Sequence, residues 1–66
     1  MEIREIRRRT GLSQTDFGLY YNIPVSTIKK WEASKESKNH RECPVYVKQL
    51  LAKAVNADFK KQKNAL

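Results

Sequence analysis

The sequence predicts an all-α domain, a compact bundle of four helices or five. Three observations predict it. Apolar residues fall at helical spacing in four segments: Ile3 with Ile6, Phe17 with Tyr21, Ile28 with Trp31, and Val47, Leu50, Leu51 and Ala54. No run of Val, Thr and aromatic residues alternates with period two, so strands are not expected. Only two glycines and two prolines interrupt 66 residues rich in polar helix formers. That length bounds the chain to one small core, stabilised by packing alone or by packing plus a partner subunit. Residues 1–57 read as the domain, and 58–66 as a basic tail, frayed or extending the last helix.

The first helix is expected over Met1 to Thr10. Ile3, Ile6 and Thr10 share a face, and Arg7 falls on it too. Glu2 and Glu5 stand early and Arg7 to Arg9 late, which suits the helix dipole. Gly11 terminates it. The second helix starts at Ser13, a good N-cap, with Asp16 three residues on as a weak capping box. Phe17 and Tyr21 face inward. Gly18 in mid-helix costs about 1 kcal/mol against Ala, so a packing reason is expected, close approach of another helix above all. Asn22 tolerates positive φ and marks a tight turn.

The third helix is expected over Pro24 to Ala33, with proline in its first turn. Ile28 and Trp31 point inward and Glu32 borders that face. Ser26, Lys29, Lys30 and Ala33 cluster on the solvent side. Residues 34–43 carry no apolar period and form a polar loop. Pro44 opens the fourth helix, whose core stripe is read as Val47, Leu50, Leu51 and Ala54. Arg7 and Glu32 carry charge on otherwise apolar faces of helices that must touch, so a partly buried salt bridge between them is expected.

Composition narrows the function. The net charge is +7 and the isoelectric point about 9.9, the footprint of polyanion binding. The surplus is +2 over residues 1–33 and +5 over residues 34–66. No apolar run is long enough for a membrane span. Charges occupy the N-terminal stretch where a secretion signal needs apolar residues, so a cytoplasmic location is expected. A single cysteine, Cys43, excludes an internal disulfide framework. With one histidine, His40, it cannot make a four-ligand zinc site, and no metal or cofactor is expected. The scattered acids and lone histidine do not meet the requirements of an enzyme site.

The segment QTDFGLYYNIPVSTIKKWEA, Gln14 to Ala33, carries the functional signal. Phe17, Tyr21, Ile23, Ile28 and Trp31 are its inward apolar positions, Gly18 its small residue and Asn22 its turn. Two short helices crossing at a steep angle need these. The outer face of the later helix is then free to enter the major groove of B-DNA.

This pattern resembles the helix-turn-helix of the lambda-repressor-like superfamily, the Xre/Cro type of phage and bacterial repressors. The likeness covers residues 3–35, through IREIRRRTG, GLSQ and IPVSTIKKWE. PVYVKQLLAKAV, residues 44–55, looks like the closing helix of short members. Two departures stand out. Ala33-Ser34 occupy the place where the family commonly has Asn-Gly, and Asn22 replaces the usual turn glycine.

The resemblance implies a DNA-binding regulator, in the first instance a repressor, reading the major groove with helix 3. It places Gln14, Val25, Ser26 and Lys30 at base edges. Lys30 would donate to guanine O6 or N7, and Val25 would meet a thymine methyl. Ser13, Lys29, Lys35, Lys38 and Arg41 would meet phosphates. Relatives carry an Arg–Glu pair at the positions of Arg7 and Glu32. Relatives also bind palindromic double-stranded operators as dimers, so a homodimer is expected at least on DNA. On the last helix Val45, Ala52 and Phe59, with Val55 beside them, form a second apolar line, read as a dimer surface or as part of the chain's own core. The alternative function is an antitoxin-like protein-interaction module on the same fold. A third is non-specific nucleic-acid binding by the basic second half. Tyr20 and Tyr46 have no clear explanation in the sequence.

Overall fold

The computed structural model describes residues 2–59. Four α-helices account for its regular structure: α1 (Ile3–Arg8), α2 (Gln14–Tyr21), α3 (Val25–Glu32) and α4 (Val45–Asp58), with no strand among the described residues. None of these helices is long and apolar enough to cross a membrane.

The start of α1 is closed by the Glu5 carboxylate, which accepts from the Glu2 backbone N–H at 3.2 Å. Its end comes earlier than the periodicity suggests. The Thr10 hydroxyl donates to the Arg7 carbonyl at 2.5 Å and accepts from the Leu12 N–H at 3.0 Å. Thr10 thus folds a turn around itself instead of extending the helix, and Gly11 follows at φ +75°. In α2 the Ser13 hydroxyl accepts from the Asp16 N–H at 3.0 Å, the N-cap expected of serine. Asn22 stops α2 in the left-handed region, at φ 57° and ψ 41°.

Pro24 and Pro44 both flank their helices in extended conformation rather than occupying the first helical turn, with ψ of 134° and 144°. Their carbonyls still start the following ladder. Ile28 N–H donates to the Pro24 carbonyl at 3.2 Å, and Lys48 N–H to the Pro44 carbonyl at 3.1 Å.

The core lies where α1, α2, α3 and α4 meet. Ile3, Ile6, Phe17, Ile28 and Val55 are fully buried, and burying each such side chain contributes about 1.5–3 kcal/mol. Leu51 and Cys43 join them, with Leu12, Tyr21, Ile23, Trp31, Val47, Ala52 and Phe59 packed around. Cys43, a loop residue by sequence pattern, is therefore a core residue.

The face that α4 turns inward differs from the predicted stripe. Leu51 and Val55 are buried, whereas Leu50 is 62% exposed. Val47, Leu51, Val55 and Phe59 follow each other at i+4 and carry the contact, which puts Leu50 outside it. The same rotation corrects the expected dimer line. Val55 is 2% exposed, and Ala52 and Phe59 pack against the chain's own core. Only Val45 of that line stands in solvent. Phe59 N–H closes α4 on the Val55 carbonyl at 2.8 Å. The rings of Tyr20 and Phe59 lie 5.1 Å apart, and those of Tyr20 and Tyr21 4.7 Å apart. The Tyr21 hydroxyl donates to Asp58 at 3.0 Å. Tyr20 is thus accounted for by packing between α2 and α4. Most of the basic tail, residues 60–66, lies outside the described residues.

Candidate nucleic-acid interface

Two features set the relation of α2 to α3. Asn22 reverses the chain within one residue. Gly18 lets the turn fold back: a Cβ built there would lie 2.5 Å from the Ile23 carbonyl oxygen and 3.2 Å from Ile28 Cδ1. The close approach expected at Gly18 is therefore mainly to the turn backbone, and secondarily to a side chain of α3. Ile23 N–H completes the turn by donating to the Gly18 carbonyl at 2.9 Å.

The rotation of α3 about its own axis is set by its inner face. Ile28 is fully buried. One turn on, the Glu32 side chain is 2% exposed and meets Arg7, itself only 17% exposed. Arg7 Nε and Nη2 donate to the two Glu32 oxygens at 2.7 and 2.9 Å, and Nη1 donates to the Leu12 carbonyl at 2.9 Å. One guanidinium thus ties α1 to α3 and to the turn before α2. Gln14 Nε2 donates to Glu32 at 3.1 Å. Arg4 donates to the Glu32 backbone carbonyl at 3.0 Å, with its Nε 3.7 Å from the carboxylate. Burial pushes the Glu32 carboxyl up. The hydrogen bonds from Arg7 and Gln14, with the charges of Arg7 and Arg4, outweigh it and hold the group below the ordinary value. Arg7 moves up in turn, chiefly through its hydrogen bond to Glu32.

With Ile28 and Glu32 inward, Ser26, Lys29 and Lys30 are left exposed on the far side of α3. They line a shallow groove of about 400 Å³ together with Ala33 and with Ser37 and Asn39 from the following loop. Two lysines, two serines and an asparagine are among its lining residues, and no acidic residue is. Lys35, Lys38 and Arg41 are exposed along the same loop.

Other expected contact residues are placed differently. Ser13 is exposed, with its hydroxyl used in capping α2. Gln14 is half-buried and engages Glu32 through its amide nitrogen, so it braces the polar cluster. Val25 is half-buried at the start of α3, in a separate hollow bordered by Thr15, Leu19 and Asn22.

The loop after α3 is held, not loose. Arg41 N–H donates to the Lys30 carbonyl at 3.0 Å, and His40 N–H to the Ser37 carbonyl at 3.2 Å. The His40 ring lies between two acceptors, with Nδ1 2.9 Å from the Ala33 carbonyl oxygen and Nε2 3.2 Å from Glu42 Oε1. Sequence reasoning singled out neither Ser37 nor Asn39, nor the role of Arg4. An irregular loop has no periodic signal, and its placement depends on backbone contacts that residue types do not announce.

No protein-family model, curated protein or solved structure gives a significant match to this chain.

Proposed function

We propose that the chain is a sequence-specific double-stranded DNA-binding transcriptional regulator, in the first instance a small repressor. In this reading α2 and α3 form a helix-turn-helix of the lambda-repressor-like type, and α3 enters the major groove. One observation carries it: the outer face of α3 presents Ser26, Lys29 and Lys30 together, without a carboxylate in the groove, while Ile28 and Glu32 lock the opposite face. Ser26 and Lys30 then meet base edges, with Val25 and Gln14 at the margins of that contact. Lys29, Lys35, Lys38 and Arg41 meet phosphates, as does Ser13 at the positive end of α2. The net charge of +7 supports association with a polyanion. Binding as a homodimer to a palindromic operator follows from the small number of base contacts one α3 offers.

Selection of binding sites from random duplexes at fixed salt tests this. A recovered palindrome supports both specific reading and two-fold binding. Recovery of sequences no more alike than the starting pool overturns it.

A second reading is a protein-interaction module, antitoxin-like, on the same fold. Val45, Tyr46 and Leu50 favour it, since each is more than 60% exposed on α4 and a solvent face needs no such apolar side chains. Sedimentation with and without DNA addresses it. A strict monomer under both conditions removes self-association as the use of that face.

A further inference from the structure

Loop 34–42 is held by hydrogen bonds rather than by packing. It contributes no side chain to the core, and its cations, Lys35, Lys38 and Arg41, are exposed. Yet it lies against the C-terminal half of α3, and Ser37 and Asn39 form one wall of the groove lined by Ser26, Lys29 and Lys30. Its fixed points near α3 are the Arg41 N–H bond to the Lys30 carbonyl and the His40 ring.

The His40 ring is 17% exposed and has an acceptor at each nitrogen. A neutral imidazole has one donor and one lone pair. Whichever nitrogen carries the proton, the other then faces an oxygen lone pair, either the Ala33 carbonyl or the Glu42 carboxylate. Only the doubly protonated ring donates to both. From the same loop Glu42 faces the ring directly. From α4, Lys48 Nζ stands 3.9 Å from Glu42 Oε2. Around the hollow that the ring borders stand Glu2 and Arg4 of the α1 end, Glu32 of α3 and Lys35 of the loop.

We infer that His40 is a positioning residue for DNA binding: its ring clasps loop 34–42 onto the end of α3 through the Ala33 carbonyl and Glu42, and so sets Ser37 and Asn39 beside the outer face of that helix. The inference rests on the DNA-binding reading above. The sequence has a single histidine. A difference between the native chain and a His40 variant is therefore assignable to this ring.

The test has two arms. In the free protein, backbone hydrogen exchange at Arg41 is measured at one pH and corrected for intrinsic rates. Protection is roughly three- to tenfold lower in His40→Ala than in the native chain, the effect of losing a hydrogen bond that holds the loop. His40→Gln keeps N–H donors without the ring and gives intermediate protection. In the second arm, affinity for the selected duplex is measured at constant salt. It is lower in His40→Ala than in the native chain, with His40→Gln between them. Equal Arg41 protection in the native chain and His40→Ala overturns the clasp. A changed protection with unchanged duplex affinity overturns its positioning role. Lys30→Ala separates the two levels of argument. If it weakens duplex binding while the His40 variants do not, the clasp fails and the DNA reading stands. If neither Lys30→Ala nor the His40 variants alter binding, the DNA reading fails and takes the inference with it.

Discussion

Replacing Arg7 by Met removes the cation from a carboxylate that is 2% exposed. Glu32 then loses two charge-assisted hydrogen bonds, at 2.7 and 2.9 Å, and the Leu12 carbonyl loses a third, at 2.9 Å. Breaking a buried pair by deleting one partner costs about 3–5 kcal/mol. The low end applies, about 3 kcal/mol, because Gln14 and Arg4 still approach Glu32. A domain of this length has a total stability of about 3–10 kcal/mol, so the loss is about a third of it or more. Urea denaturation followed by helical circular dichroism reads the loss. Acid supplies a second, independent readout. In the native protein Glu32 is held below its ordinary value. Its contribution is therefore complete above the ordinary carboxylate range and is lost as pH falls through the lowered value. In Arg7→Met burial acts with less opposition and raises the group, so lowering the pH from 7 to 5 stabilises the variant relative to the native chain. The double variant Arg7→Met, Glu32→Met recovers much of the loss, since an apolar pair leaves no charge buried alone. A loss below about 1 kcal/mol in the single variant, against the value expected for a buried unpaired charge, refutes the reasoning.

Gly18→Ala gains helix propensity of about 1 kcal/mol, but its Cβ meets the Ile23 carbonyl. Overpacking costs about 1–3 kcal/mol, so thermal melting shows net destabilisation, and an unchanged or raised melting temperature contradicts the close approach. Asn22→Ala carries the left-handed penalty of about 1 kcal/mol, whereas Asn22→Gly is neutral or better in the same melts. For DNA, Lys30→Ala costs about 1–3 kcal/mol on the selected duplex and relaxes its sequence preference. Lys35→Ala weakens all duplexes alike and lowers the salt slope by about one. Identical profiles for the two lysine variants contradict the assignment of one to bases and the other to phosphates.

Much of the helical framework is legible because its residues act locally. Ser13 caps the helix it precedes, Asn22 takes the left-handed turn, and the alternation of Ile28 with Ser26 and Lys30 divides α3 into two faces. Arg7 and Glu32 are legible for a related reason: a charge on an apolar stripe needs an opposite charge, and these two meet. Legibility fails where one residue has two uses. Thr10 fits the periodicity of α1, yet its hydroxyl ends that helix. Leu50 and Val55 are both apolar on α4, and only the seating of that helix against Ile3 and Ile6 decides which is inward. Gln14 is polar at a helix start and reads as free to reach out, but the buried carboxylate next to it claims its amide. The loop wall made by Ser37 and Asn39 has no local rule at all.

Cys43 is 5% exposed, and burial pushes its thiol above the ordinary cysteine range. An alkylating reagent consequently finds neither access nor much thiolate while the chain stays folded. Labelling proceeds only through openings that free the segment leading into α4, so its rate, followed by mass, measures how often that segment comes away. The chain thereby carries its own reporter of local opening, with no dye or engineered site added.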